Sequence, residues 1–370
     1  MNRQKRKRVI ISGGGTGGHI FPAISIANAL RRIDPEIDIL FVGAEGRMEM
    51  EKVPAAGYDI VGLPVAGFNR KNPFKNISVL VKLMKSLSLA RRVIRDYKPD
   101  VVVGVGGYAS GPVLRQAGKL GIPVLIQEQN SYAGVTNKLL AKKATIICVA
   151  YDGMERYFPS KKLIKTGNPV RQNFDNLNDL QKEAFSFFNL SEKIPVVLVL
   201  GGSLGAGSIN AGLSENLQSL INSGCQWIWQ TGKYYYEDVN ALVSVSSASN
   251  IKVHGFINRM DYAFSAADVI ISRAGAGTIS ELCLVGKPVI LVPSPNVAED
   301  HQTKNAEALS GKNAAVLIPD NQALTRLVEE AVSLIHENEK RKILSENIKK
   351  LAERDADRKI AEEVMKLIKK

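Results

Sequence analysis

The chain of 370 residues, 45% apolar and 23% charged, is long enough for two cores at about 100 to 200 residues per domain. Its composition excludes disordered, collagenous and disulfide-built classes. Of the net charge of +13, residues 1 to 165 carry +15 (27 Lys+Arg against 12 Asp+Glu), leaving 22 against 24, or −2, for the rest. A basic half beside a neutral one points to a polyanionic partner, either nucleic acid or an anionic membrane surface.

The basic opening leads into only Val9-Ile10-Ile11 before a glycine run. That is too short for a signal peptide, and no stretch approaches the roughly 18 apolar residues of a membrane span. Cys148, Cys225 and Cys283 stand far apart in apolar runs, so a reducing cytoplasm is expected rather than disulfides or a metal quartet.

In chain order, strands are predicted at Arg8 to Ser12, Ile37 to Val42, Val101 to Val105, Val124 to Gln127, Thr145 to Val149, Val196 to Leu200, Trp227 to Trp229, Val269 to Ser272 and Val289 to Val292. Most are unbroken apolar runs, as parallel strands covered on both faces require, and helical patterns separate them. Right-handed crossovers then give a doubly wound parallel sheet, and the series restarts after a polar linker near residues 160 to 170. The predicted domains are 1–165 and 166–350. A charged helix over 351–370 either returns to the first domain or covers the second.

The first strand exits into Gly13-Gly14-Gly15-Thr16-Gly17-Gly18-His19. Glycines between strand and helix let backbone amides meet an anion at the positive helix end. The formal G-x-G-x-x-G match suggests a dinucleotide site, but the second strand ends in Val42-Gly43-Ala44 with Glu45 only beyond it, which weakens a dehydrogenase reading. His19 in the first helical turn has the chemistry of a general base, because the helix end disfavours imidazolium. A third glycine cluster, Gly104 to Pro112, follows the Val101 strand, and Gln127-Glu128-Gln129-Asn130, side chains suited to sugar hydroxyls, follow the next.

The second half repeats the plan with Gly201 to Gly207 and with Ser272-Arg273-Ala274-Gly275-Ala276-Gly277-Thr278-Ile279-Ser280-Glu281. Free amides at 276 to 278 suit a diphosphate, and Glu281 suits the two hydroxyls of a ribose. Polar residues 299 to 305 begin a further helix. No metal-ligand spacing stands out, since Asp355-Ala356-Asp357 lies in the charged C-terminal helix, and helix ends are expected to stabilise a departing diphosphate without a cation.

In order and spacing, Gly14 to His19, Gly106-Gly107-Tyr108 with Ser110-Gly111-Pro112, Glu128-Gln129-Asn130 with Ala133-Gly134 and Thr136-Asn137-Lys138, Thr166 to Arg171, Gly201-Gly202-Ser203 with Gly205-Ala206, and Arg273 to Glu281 resemble the MurG family of inverting N-acetylglucosaminyltransferases over essentially the whole chain. The resemblance implies the GT-B fold, α/β, with two Rossmann-like domains facing across a cleft. It implies transfer of GlcNAc from UDP-GlcNAc to undecaprenyl-diphospho-MurNAc-pentapeptide, lipid I becoming lipid II in peptidoglycan synthesis. No cofactor is implied.

Position by position, it implies His19 as base with Glu128 competing, and Thr16, Gly17 and Gly18 on phosphate. It also implies Asn130 and Arg171 as substrate contacts, Ser203 near the donor diphosphate, and Tyr108 and Ser110 on the acceptor side. The Ile257 backbone is implied on uracil, Ala276, Gly277, Thr278, Ile279, Ser280 and Glu281 on diphosphate and ribose, and Gln302 on the GlcNAc hydroxyls. Gln127 departs from the histidine many members carry, and His301 from a glutamine.

Residues 68 to 95 interleave Phe68, Phe74, Leu80, Leu83, Met84 and Leu87 with Lys71, Lys75, Lys82, Lys85, Arg91 and Arg92. This reads as an apolar stripe fringed by cations, suited to the anionic inner leaflet of the cell membrane on its cytoplasmic side. Other cell-wall enzymes are further expected partners. A UDP-sugar 2-epimerase would not need that patch, and a nucleic-acid binder is disfavoured by 6% aromatics and the absence of a base-stacking module. The lack of paired carboxylates disfavours a glycosidase.

Overall fold

The computed structural model describes residues 6–67, 76–170, 174, 176–202 and 204–368. Two compact units divide the chain, Met1–Val170 with Asp355–Lys370 and Arg171–Arg354.

The first unit runs β1 (Arg8–Ser12), α1 (Gly17–Ile33), β2 (Asp38–Ala44), α2 (Glu49–Ala55), β3 (Asp59–Leu63), α3 (Asn76–Tyr97), β4 (Val101–Gly104), α4 (Ser110–Lys119), β5 (Val124–Glu128), α5 (Val135–Leu140), β6 (Ile146–Val149) and β7 (Leu163–Lys165). The second runs α6 (Gln181–Phe188), β8 (Val196–Leu200), α7 (Gly207–Glu215), α8 (Leu217–Ile221), β9 (Gln226–Gln230), α9 (Tyr236–Val245), β10 (Ile251–His254), α10 (Met260–Ala266), β11 (Val269–Ser272), α11 (Ala276–Val285), β12 (Val289–Leu291), α12 (His301–Ser310), β13 (Val316–Leu317), α13 (Ala323–His336) and α14 (Asn338–Lys350). The last helix, α15 (Ala356–Ile368), belongs to the first unit.

Both sheets are parallel, ordered β3-β2-β1-β4-β5-β6-β7 and β10-β9-β8-β11-β12-β13. Each winds outward in two directions from a central strand, so a crevice opens where the order reverses, between β1 and β4 in one unit and β8 and β11 in the other. The same device fixes register at both reversals. Asp100, just before β4, accepts the Arg8 amide at 2.8 Å, and Asp268, just before β11, accepts the Val196 amide at 2.8 Å.

The predicted strands are the central ones. The four that sequence reading passes over, β3, β7, β10 and β13, are the sheet edges. They are partly exposed, and without cover on both faces they need no continuous apolar run.

The cores follow from that layering. Val9, Ile11, Val101 and Val103 pack beneath α1 and α15, where Ile360, Ala361, Val364 and Met365 are buried. Asp357 of α15 also accepts from Arg32 at the end of α1. The charged C-terminal helix therefore completes the first unit's core. In the second unit Trp227 and Trp229 are fully buried, and the Trp229 indole donates to Asn210 at 3.0 Å, satisfying its one polar atom.

Candidate active site

The glycine loop after β1 closes under three restraints. Thr16 caps α1, and His19 and Ile20 donate their amides back to the Thr16 carbonyl at 3.1 and 3.2 Å. The amides of Gly17 and Gly18 lie in the helix's first turn, where the helix itself supplies no acceptor. Gly14 and Gly15 take φ values of +156° and +88°, a path open to glycine.

His19 Nδ1 lies 3.2 Å from the Gly14 carbonyl oxygen and 3.3 Å from Thr16 Oγ1. A carbonyl only accepts, so Nδ1 carries the proton and Nε2 is the basic nitrogen of the neutral ring. The ring edge rests on Gly106, where a Cβ would lie 2.9 Å from Nε2. The Gly104 to Gly107 turn thus forms the floor under the imidazole. Ser110 is buried and donates its hydroxyl to the carbonyls of Ser12 and Gly106 at 2.7 and 2.8 Å. It ties the two loops together, and Tyr108 beside it is exposed.

Glu128 is buried, and its carboxylate accepts four hydrogen bonds: from the backbone and side-chain amides of Asn130 at 3.1 and 3.3 Å, from the Gly134 backbone at 3.0 Å and from the Asn137 side chain at 2.8 Å. Those bonds match a carboxylate's four lone-pair sites. The neighbouring amides differ from the sugar-facing role read from sequence. Gln127 donates to Asn168 at 3.0 Å, Asn168 to the Gln129 carbonyl at 3.0 Å, and Gln129 to the Val105 carbonyl at 2.8 Å, all of them buried. Of residues 127 to 130, only Asn130 is partly exposed.

A residue the sequence reading passed over is Glu49. It is fully buried and accepts the Ala44 amide at 2.9 Å and the Gly15 amide at 3.1 and 3.0 Å to its two oxygens. Glu45, considered from sequence as a ribose ligand, is exposed. An acid in the first turn of a helix is common, and nothing local marked this one as buried.

In the second unit, α11 starts at Ala276 after Gly275, with residues 276 to 278 partly exposed in its first turn. Glu281 follows one turn later on the face of Gly277 and Thr278. Ile279 is buried and its amide donates to Gly275 at 2.9 Å, while Ser280 donates its hydroxyl to the Ala276 carbonyl at 3.0 Å. Ile257 is buried as a side chain, which leaves its backbone as the part able to read a base.

Gln302 accepts the Ala274 and Ser294 amides at 3.2 and 2.9 Å on its side-chain oxygen, bridging the exits of β11 and β12 and turning its NH2 group the other way. Arg273 donates to the Val292 carbonyl at 3.0 Å, to Ser208 Oγ at 3.0 Å and to Asp320 at 2.5 Å, which fixes the base of the same loop. Arg171, Ser203, Phe68, Lys71, Phe74 and Lys75 lie outside the described residues.

Other titratable groups are tuned away from chemistry. Burial pushes the Cys148 and Cys283 thiols up to about 12 and raises Cys225, so none is a thiolate near neutral pH. Burial holds the His254 imidazole below its ordinary range, and the ring packs edge-on to Phe188 at 5.4 Å. Among the described residues no cluster of His, Cys, Asp or Glu is arranged to hold a metal.

Residues 9–149 match the glycosyltransferase family 28 N-terminal domain, and residues 196–364 match the C-terminal domain of that family. A UDP-N-acetylglucosamine–N-acetylmuramyl-(pentapeptide) pyrophosphoryl-undecaprenol N-acetylglucosamine transferase of Parabacteroides distasonis is 58% identical, covering 99% of this chain and 100% of its own. The enzyme of that name from Phocaeicola vulgatus is 60% identical, covering 99% and 98%. The crystal structure of Acinetobacter baumannii MurG superposes with a TM-score of 0.79 at 28% identity, covering 97% of this chain and 99% of that one. The chain belongs to glycosyltransferase family 28 and, within it, to the family of UDP-N-acetylglucosamine transferases that these relatives represent.

Proposed function

We propose that this enzyme transfers GlcNAc from UDP-GlcNAc to the 4-hydroxyl of MurNAc in undecaprenyl-diphospho-MurNAc-pentapeptide, with inversion. The observation that carries the reading is full-length identity of 58% and 60% to enzymes named for that reaction.

The residues supply a single displacement. His19 Nε2 takes the proton of the acceptor hydroxyl as its oxygen attacks the anomeric carbon, and the bond from that carbon to UDP breaks. The hydrogen bond from Nδ1 to Gly14 holds the ring in the tautomer this needs. Glu128, saturated by four donors, positions Asn130 and the 134–137 segment and leaves the proton to His19. Thr16, Gly17 and Gly18 meet the acceptor's diphosphate.

On the donor side, the first-turn amides of Ala276, Gly277 and Thr278 meet the charge growing on UDP, and Ser203 is a further proposed contact of the donor diphosphate. Glu281 holds the ribose, the Ile257 backbone the uracil, and the Gln302 NH2 group a GlcNAc hydroxyl. Asn130 and Arg171 contact substrate, and Tyr108 faces the acceptor.

The lipid-linked acceptor calls for a membrane surface. Helix α3 turns Val79, Ala90 and Ile94 inward and leaves Leu80, Val81 and Met84 exposed beside Lys82 and Lys85. That face, together with the membrane contacts proposed for Phe68, Lys71, Phe74 and Lys75, meets the anionic cytoplasmic leaflet without crossing it. Among the described residues no helix is long and apolar enough to span a membrane.

The decisive assay is incubation with UDP-GlcNAc and a short-chain analogue of the acceptor. UDP release that requires the acceptor and yields the disaccharide is expected. Release indifferent to the acceptor would overturn the assignment.

A further inference from the structure

The peptide group between Gly14 and Gly15 is held from both ends. Its carbonyl oxygen, on Gly14, accepts from His19 Nδ1 at 3.2 Å. Its N–H, on Gly15, donates to both oxygens of Glu49 at 3.1 and 3.0 Å. Glu49 is fully buried, and among the described residues it makes no ion pair. A carboxylate taken out of water without a cation costs several kcal/mol unless hydrogen bonds offset it. Here they come from Gly15 and from Ala44, which anchors the acid to the end of β2.

The surroundings leave that peptide no freedom. Any side chain at Gly14 would collide with the Glu49 carboxylate, and any side chain at Gly107 would collide with the Gly14 carbonyl. The positive φ of Gly14, Gly15 and Gly107 is what permits this packing.

We infer that Glu49 is a positioning residue for the transfer, a buried carboxylate that acts on His19 through the Gly14–Gly15 peptide. This inference rests on the reading of His19 as the base. One end of the peptide polarises the other, since a hydrogen bond to a carboxylate strengthens the carbonyl as an acceptor. When Nε2 takes the acceptor's proton, positive charge spreads to Nδ1–H. The Gly14 carbonyl, backed by Glu49, then meets that charge. The same bond fixes the ring plane and the Nδ1–H tautomer beforehand. Glu49 touches neither substrate nor the moving proton.

The test uses the full chain with Glu49→Gln, which preserves shape and removes the charge. The turnover with UDP-GlcNAc and a short-chain acceptor should fall about 10- to 100-fold, as when an outer partner of a working histidine is removed. The KM for UDP-GlcNAc should stay within about twofold, because the donor loops belong to the other unit.

In a His19→Ala background the same change should add little, since the relay has lost its terminus. An equal fall in both backgrounds would assign Glu49 a purely structural role and overturn the inference. A second readout is independent of turnover. In 15N-histidine spectra Glu49→Gln should mix Nε2–H tautomer into the His19 signal, and an unchanged signal would overturn the relay even if activity drops. Should His19→Ala alone transfer normally, the base assignment fails, and the spectra still decide whether Glu49 sets the ring. Glu49→Asp, with the charge kept and the reach shortened, carries both measurements if the Gln variant does not fold.

Discussion

Asn137 donates its side-chain amide to Glu128 at 2.8 Å, and that bond completes a carboxylate whose every acceptor site is taken. A base must offer a lone pair to the substrate, whereas this acid spends its lone pairs on residues 130 to 137. Glu128→Gln puts an NH2 group against one or more of those donors, at about 1–3 kcal/mol for each buried group left unsatisfied. The melting temperature should fall by several degrees, at about 2–4 °C per kcal/mol for a chain section of this size. The pH–rate profile should keep its acid limb. An intact melting temperature with abolished turnover and a lost limb would instead make Glu128 the base.

The imidazole of His19 has a floor as well as an anchor. Removing the ring with His19→Ala should lower turnover by about 10²–10⁴-fold, the usual worth of a general base. Gly106→Ala leaves the histidine in place but sets a methyl group 2.9 Å from Nε2 at a φ of +96°. Besides a strain of about 1–2 kcal/mol, it should slow transfer roughly a hundredfold, the effect of misplacing a reacting group by about 1 Å. UDP binding, measured by calorimetry, should be unaffected in both variants. Normal turnover in Gly106→Ala would show that ring placement there does not matter.

These residues also mark how far the sequence could be read. The central strands β1, β4, β8 and β11 announce themselves because both faces are covered and each carries an unbroken run of at least three apolar residues. The glycine turns after β1, β4 and β8 are equally legible, since Gly14, Gly15, Gly106, Gly107, Gly202 and Gly205 meet a local demand for positive φ. The side chains of Ser110, Gln127 and Gln129 turn back into the fold, which a polar position in a motif does not reveal. Glu49 was underread for another reason. Its partner Gly15 is 34 residues away, and only the pairing of β1 with β2 brings them together. Contacts of that kind depend on tertiary packing, which single-residue patterns do not encode.

His254 gives the fold a specific acid sensitivity. Burial depresses its folded-state pKa below the 6.5 of the unfolded chain, and its Nε2 is buried with no hydrogen-bond partner among the described residues. Between the two values the unfolded chain binds more protons, so stability is fully present above about pH 6.5 and is lost as pH falls through the folded value. Urea midpoints should therefore decline on acidification through that window. His254→Phe, which keeps a ring beside Phe188 and removes the titrating group, should flatten the decline at no loss of stability near neutral pH. An equally steep decline in the variant would place the sensitivity elsewhere.

On the proposed membrane reading, the exposed face of α3 contributes to attachment in two separable ways. Leu80, Val81 and Met84 are 56, 51 and 63% exposed, and their transfer into an interface is worth about 25 cal/mol per Å² of apolar area. Lys82 and Lys85 each add about 1 kcal/mol near an anionic surface. Replacing both lysines with Gln should weaken binding to phosphatidylglycerol-containing vesicles by roughly 30-fold, the equivalent of about 2 kcal/mol, and the loss should shrink as salt rises. Replacing Leu80 and Met84 with Ser should weaken binding to anionic and neutral vesicles alike and be insensitive to salt. Turnover on a water-soluble acceptor should hold in both variants, because neither pair lies in the glycine loops. If neither pair of substitutions changes vesicle binding, α3 is an ordinary solvated helix and the enzyme meets its lipid substrate by another face.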